Sequence, residues 1–147
     1  LLLKLSPDNS DDEIIASAQM ALRKGIDGFV ATNTTLHRPV PRNAASRSVF
    51  AESGGLSGRP LQARSNEVIR LLYEEAQSTV PIVGVGGIDS VDTAWQAVSS
   101  GASLLQLYSA LIFNGPSVVS GIVKGLKKRV KENGFLGIEE AVGLDIT

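Results

Sequence analysis

Two strand ends in this sequence carry the groups that an anion needs. PIVGVGGIDS takes an apolar run from Ile82 into Gly84, Gly86 and Gly87, and GASLLQLYS ends a second run at Leu107, Tyr108 and Ser109. Glycine lets a backbone approach a ligand closely. Successive free N–H groups beside a serine hydroxyl at a helix start can cradle a phosphate, although a glycine pair after a strand also serves close packing. Lys4 is a lone cation in the apolar run LLLKL. Such a lysine either sends its ammonium past a packed stem to water or faces negative charge that develops on a substrate or cofactor ring. Thr32-Asn33-Thr34-Thr35 offers an amide and three hydroxyls. These suit a planar ligand with carbonyl and N–H edges, and the same residue types also make turn bonds. Gly54-Gly55-Leu56-Ser57-Gly58 allows either close approach to a ligand or plain loop mobility. His37 on its polar loop reads as a surface residue, and Asp8, Asp27, Asp89 and Asp92 read as caps and turns. No residue presents itself as a general base or nucleophile.

The elements that must position these groups follow from periodicity. Leu1 to Leu5 is a buried strand closed by Ser6-Pro7-Asp8. Ser10 and Glu13 form a capping-box pattern that opens a helix over 11–24, with Ile15, Ala18 and Leu22 on its apolar face and Gly25 at its end. Gly28 to Ala31 is the second strand. The polar stretch that follows, up to Pro60, is too long for a plain connection and reads as an active-site loop or lid. Leu61, Ser65, Val68, Ile69, Leu72 and Ala76 mark a helix ending near Gln77, and Ile82 to Gly84 is the third strand. Ser90 caps a helix through Ser100 with Val91, Ala94, Trp95 and Val98 inward. Leu104 to Leu107 is the fourth strand, followed by a helical turn around Ala110–Phe113. Pro116 opens a last helix whose apolar face is Val119, Ile122, Val123, Leu126 and Val130, and residues 138–142 add one more turn.

Strands alternating with helices imply a parallel sheet with right-handed crossovers. Four strands do not close a barrel, which takes eight. The choice lies between an open α/β sheet and the second half of a (β/α)8 barrel. Barrels place a phosphate site after their last two strands, whereas a dinucleotide fingerprint follows the first strand of its unit, and GVGGID is not GxGxxG. The expected fold class is therefore α/β: the C-terminal half of a (β/α)8 TIM barrel, four parallel strands with flanking helices. Residues 1–147 form one half of a single barrel domain. A half barrel leaves strand edges open, and LLLKLSPD reads as a strand entered from upstream, so an N-terminal half is expected outside this sequence. The ligand phosphate is that of a flavin or a sugar phosphate.

Composition narrows the classes. The chain is 43% hydrophobic and 20% charged with a net charge of −1, which points to neither a nucleic-acid nor an anionic-membrane partner. The basic run Lys124–Lys131 lies late in a helix, where cations suit the dipole. With no cysteine and one histidine, thiolate and histidine metal centres are excluded, and no metal site is expected. No targeting segment is evident, and no window reaches the roughly 18 apolar residues of a membrane span.

The strings LLLKLSPD, GIDGFVATNTTLHRP, SGGLSGRPL, PIVGVGGIDSVDTA, SGASLLQLYSALIFNGP and GFLGIEEAVG occur in this order. Together they resemble the C-terminal half of class 2, quinone-linked dihydroorotate dehydrogenase, over nearly the whole chain. The resemblance implies an FMN-binding barrel that oxidises dihydroorotate to orotate in pyrimidine (UMP) biosynthesis and passes the electrons to a quinone. By motif, Lys4 resembles the lysine beside the flavin pyrimidine ring, and Thr32 resembles an FMN contact. Asn33 and Thr34 resemble contacts to orotate, and Ser57 and Gly58 contacts of the flavin loop. Gly86, Gly87, Tyr108 and Ser109 resemble the phosphate cradle, with a backbone contact from Leu107. In the family the serine base and the quinone tunnel come from the first half. The resemblance thus implies no catalytic base within these residues, no activity of this stretch alone, and membrane association through the upstream region only. The membrane would be the mitochondrial inner membrane in a eukaryote and the cytoplasmic membrane in a bacterium. Another FMN- or sugar-phosphate-binding barrel enzyme and a non-catalytic half-barrel binding module are the alternatives.

Overall fold

The computed structural model describes residues 1–41 and 43–146, and the side chains of all of these but Ala45 and Ser46. Four strands, β1 (Leu2–Leu5), β2 (Gly28–Ala31), β3 (Ile82–Val85) and β4 (Leu104–Gln106), lie side by side in chain order. All three pairings are parallel. Leu5 is level with Ala31, Ala31 with Gly84, and Gly84 with Leu105. The register therefore brings the C-terminal ends of all four strands to one edge of the sheet.

Helices α1 (Asp11–Arg23), α2 (Ala44–Phe50), α3 (Gln62–Ala76), α4 (Val91–Ser99), α5 (Ser109–Asn114) and α6 (Ser117–Glu132) alternate with the strands, and 3-10 turns cover Arg59–Leu61 and Ile138–Ala141. Local chemistry sets the helix starts. Ser10 accepts from the Glu13 N–H while the Glu13 carboxylate accepts from the Ser10 N–H, which satisfies two otherwise unpaired donors of α1. Ser90 and Thr93 make the same reciprocal cap on α4. Phe29, Ile82, Ile14, Val68, Ile69 and Leu72 are fully buried between sheet and helices. Each such side chain stabilises the fold by about 1.5–3 kcal/mol.

Several expectations need adjustment. The 33–60 stretch contains a helix, α2, that sequence periodicity does not announce. β3 runs one residue further than expected, to Val85, and β4 one residue less, to Gln106. The deepest residue of α1 is Ile14, with Ile15 only half-buried. On α4, Ala97 and Ser99 are buried where Val91 and Trp95 were expected, and the Trp95 ring lies under the Arg129 guanidinium at 5.5 Å. On α6, Ile122 and Val130 are the fully buried residues, Val118 and Leu126 are half-buried against the core, and Val119 and Val123 face outward. Gly84 belongs to the core: a Cβ there would stand 2.9 Å from the Ala102 Cβ and 3.1 Å from Ile69.

Candidate functional site at the C-terminal ends of the strands

A cavity of about 1220 Å³ opens over the shared edge where the strands end. Lys4 reaches it from β1, Thr32, Asn33 and Thr34 from the end of β2, and Gly86 and Gly87 from the end of β3. Leu107, Tyr108 and Ser109 come from the β4–α5 junction, and Ser57 and Gly58 from the segment ahead of α3. The structure thus brings most of the residues singled out for a ligand role into one lining; Gly84 lies in the core, and Gly54 lies outside the lining. Thr35 and His37 stay outside it.

The strand ends are fixed by a buried serine on α3. Ser65, 1% exposed, donates to the Val85 carbonyl at 3.1 Å and stands 3.0 Å from the Thr32 hydroxyl. The Thr32 N–H also donates to the Val85 carbonyl, at 2.7 Å, so β2 and β3 leave the sheet together. Gly86 (φ +133°) and Gly87 (φ +73°) turn the chain after β3. Their missing side chains have a packing cause. A Cβ on Gly86 would strike the Ser65 hydroxyl, and one on Gly87 would lie 2.5 Å from the Gln62 Cβ. Gly55 lies so close to Thr34 that a Cβ there would overlap the threonine hydroxyl.

Opposite, the Ser57 and Ser109 hydroxyls meet at 2.8 Å, joining the Gly54–Gly58 segment to the start of α5. Among the described residues, the N–H groups of Gly86, Gly87, Tyr108 and Ser109 make no backbone hydrogen bond outside the regular elements. They are donors of the kind a phosphate accepts from. Lys4 and Arg59 are the cations of the lining, and Asp89 is its carboxylate. Arg59 Nε donates to Asp89 Oδ2 at 2.5 Å, and this hydrogen bond and the charge behind it raise the guanidinium pKa further. The other oxygen, Asp89 Oδ1, is buried without a hydrogen-bond partner among the described residues. Lys4 makes no hydrogen bond or ion pair with the described residues, so its ammonium remains available to a ligand.

Lys4, Thr32 and Asn33, from β1 and β2, and Gly86, Gly87 and Ser109, from β3 and the β4–α5 junction, line the cavity together, with hydroxyl, amide and backbone N–H donors that suit a phosphate-bearing, polar ligand. Residues not singled out for a ligand role also line the cavity: Arg59, Gln106, Phe113 and Asn114, and Asp89, which reads in the sequence as a cap or turn residue. Arg59 and Asp89 sit 30 residues apart, and only their separate nearness to glycine motifs could have suggested them.

Comparison with known proteins agrees with this geometry. The family model "Dihydroorotate dehydrogenase" matches residues 1–130. The dihydroorotate dehydrogenase (quinone) of Streptomyces coelicolor is 41% identical over 146 residues, which are 99% of this chain and 40% of that protein. The protein of the same name from Synechococcus elongatus is 44% identical over 147 residues, 97% of this chain and 39% of its own length. The crystal structure of Eimeria tenella DHODH in complex with ferulenol superposes with a TM-score of 0.90 at 35% identity, over 99% of this chain and 38% of that one. The chain thus spans about 40% of the length of the curated relatives it matches. Its four strands and flanking helices make a partial (β/α) barrel. On the match across residues 1–130, this chain belongs to the dihydroorotate dehydrogenase family.

Proposed function

We propose that the cavity binds FMN, and that the full-length protein containing this chain oxidises dihydroorotate to orotate and delivers the electrons to a quinone in pyrimidine biosynthesis. One observation carries the reading: Lys4, the Thr32–Thr34 run, Ser57-Gly58, Gly86-Gly87 and Leu107–Ser109, scattered over the whole sequence, line a single cavity. The names of the relatives support the substrate and acceptor.

In this reading Gly86, Gly87, Tyr108 and Ser109 hold the phosphate through backbone N–H groups and the Ser109 hydroxyl. Ser57 and Gly58 close over it, and Leu107 adds a backbone contact. Thr32, braced by Ser65, meets the ring. Lys4 presents a fixed positive charge where negative charge gathers during oxidation of the substrate. Asn33 and Thr34 orient the substrate's amide and carboxylate edges. Bound FMN would supply the hydride acceptor. The proton must go to a base; among the described residues the carboxylate of the lining, Asp89, is held by Arg59, and in this reading the base comes from the barrel half outside these residues.

Residues 1–147 are then the C-terminal half of one FMN-binding barrel. In this reading membrane association belongs to the region upstream; among the described residues no helix is long and apolar enough to cross a membrane. The test is direct. The purified full-length protein should carry flavin absorbance and reduce a short-chain quinone analogue on addition of dihydroorotate. A colourless protein that takes up no FMN would sink the proposal.

A further inference from the structure

Asp8 and Thr35 stand outside the cavity lining, yet a continuous set of bonds ties them to it. Thr35 is 7% exposed. Its hydroxyl donates to Asp8 Oδ1, across 27 residues, and accepts the His37 N–H at 2.9 Å. The Leu36 N–H donates to Asp8 Oδ2 at 2.7 Å. The Thr35 backbone exchanges both its hydrogen bonds with Leu56, at 3.0 and 2.7 Å, in an isolated antiparallel bridge. The next residue is Ser57, whose hydroxyl meets Ser109. The Arg38 guanidinium grips the same junction, donating to the Thr35 carbonyl at 3.0 Å and the Gly54 carbonyl at 2.5 Å. Asp8 is itself held: Arg64 on α3 donates to the Pro7 carbonyl at 3.0 Å and the Asn9 carbonyl at 2.8 Å.

We propose that Asp8 and Thr35 are positioning residues that hold the Gly54–Gly58 segment in its ligand-binding place. Local turn chemistry does not explain the pair, because the partners come from the ends of two different strands and a third segment. The need is physical. Glycines at 54, 55 and 58 leave the segment many backbone states, and apparent affinity is reduced to the extent that molecules do not already hold it in place. The Thr35–Leu56 bridge raises that fraction, and Asp8 fixes Thr35.

This inference rests on the reading that the cavity takes FMN. The test uses the full-length protein, stripped of flavin and titrated with FMN, with dissociation constants read from flavin fluorescence. Thr35→Val keeps the shape and loses the hydroxyl; its dissociation constant should rise about tenfold. Thr35→Ser restores the hydroxyl and should stay within about threefold of wild type. Asp8→Asn, at an exposed position, replaces one acceptor oxygen with a donor and should weaken binding about fivefold. The flavin-free unfolding midpoint serves as control, since a merely structural role would lower it for Thr35→Val and leave the FMN constant of the folded protein alone. Thr35→Val and Asp8→Asn proteins that bind FMN as tightly as wild type would overturn the inference and leave the FMN reading standing. A wild-type protein that takes up no FMN would remove both.

Discussion

Gly87→Ala tests whether the turn after β3 is shaped by protein packing. The residue has φ +73°, where a Cβ costs about 1–2 kcal/mol. That Cβ would also lie 2.5 Å from the Gln62 Cβ, 2.8 Å from its Cα and 2.9 Å from its N. Two of these atoms are backbone at the start of α3, so no side-chain rotation relieves the contact, and overpacking of this kind costs about 1–3 kcal/mol. The expected loss is about 2–5 kcal/mol. Gly134 supplies the control: its φ is +74°, and no atom lies within 4 Å of its ideal Cβ. Gly134→Ala should therefore lose only the conformational part, about 1–2 kcal/mol. Urea unfolding of the two flavin-free full-length variants measures the difference, which isolates the contact with α3. FMN titration should show Gly87→Ala weakened about tenfold or more, because α3 and the end of β3 are pushed apart, and Gly134→Ala unchanged. Equal destabilisation of the two variants would refute the packing argument.

Lys4→Ala should slow flavin reduction by dihydroorotate about 100-fold or more in stopped-flow while moving the unfolding free energy by less than about 0.5 kcal/mol; reduction at the wild-type rate would remove its electrostatic role. Ser57→Ala breaks the bond to Ser109 and should weaken FMN binding about fivefold by fluorescence titration, near the 1 kcal/mol of an ordinary hydrogen bond. Burial tends to raise the Asp8 pKa, but the Leu36 N–H, the Thr35 hydroxyl and the charges of His37 and Arg38 outweigh it and hold the carboxylate below its ordinary 3.8. A depressed folded-state pKa gives stability that is present above the unfolded value and lost as pH falls through the folded one. The unfolding free-energy gap between wild type and Asp8→Asn should therefore be constant near neutrality and shrink below about pH 4; screening keeps it under about 1 kcal/mol. A gap that does not change between pH 6 and pH 3 would count against the Asp8 bonds.

All four strands are legible in the sequence because each is a short apolar run bounded by glycine, proline or polar residues, and parallel pairing follows from their alternation with helices. The cavity lining is legible for a related reason: in a parallel sheet every strand end falls on the same edge, so small polar residues at strand ends must meet. What escapes the sequence is long-range or weakly patterned. The α2 sequence AASRSVF has no apolar stripe, and its described side chains are exposed apart from a half-buried Phe50, so periodicity has nothing to detect. Asp8 reads locally as a turn residue because its partners lie in another connection. Arg59 and Asp89 become a pair only once the turn at Arg59–Leu61 is laid beside the β3–α4 turn.

The glycines after β3 have a packing cause that their sequence pattern does not announce. Their pattern suggests room for a phosphate, yet the atoms their side chains would strike are Ser65, Leu61 and Gln62, all at or near the start of α3. Close approach of α3 lets Ser65 reach the Val85 carbonyl and the Thr32 hydroxyl at once. One buried serine therefore sets the end of β3 and the end of β2, which in the proposed reading meet the phosphate and the ring. A side chain at Gly86 would separate helix from strand and break both bonds. The glycine is then a condition for aligning two halves of the site, and a Gly86→Ala variant should disturb Thr32 as well as the cradle. Loss confined to phosphate affinity, with binding of a flavin that lacks the phosphate unchanged, would show that the two ends are set independently.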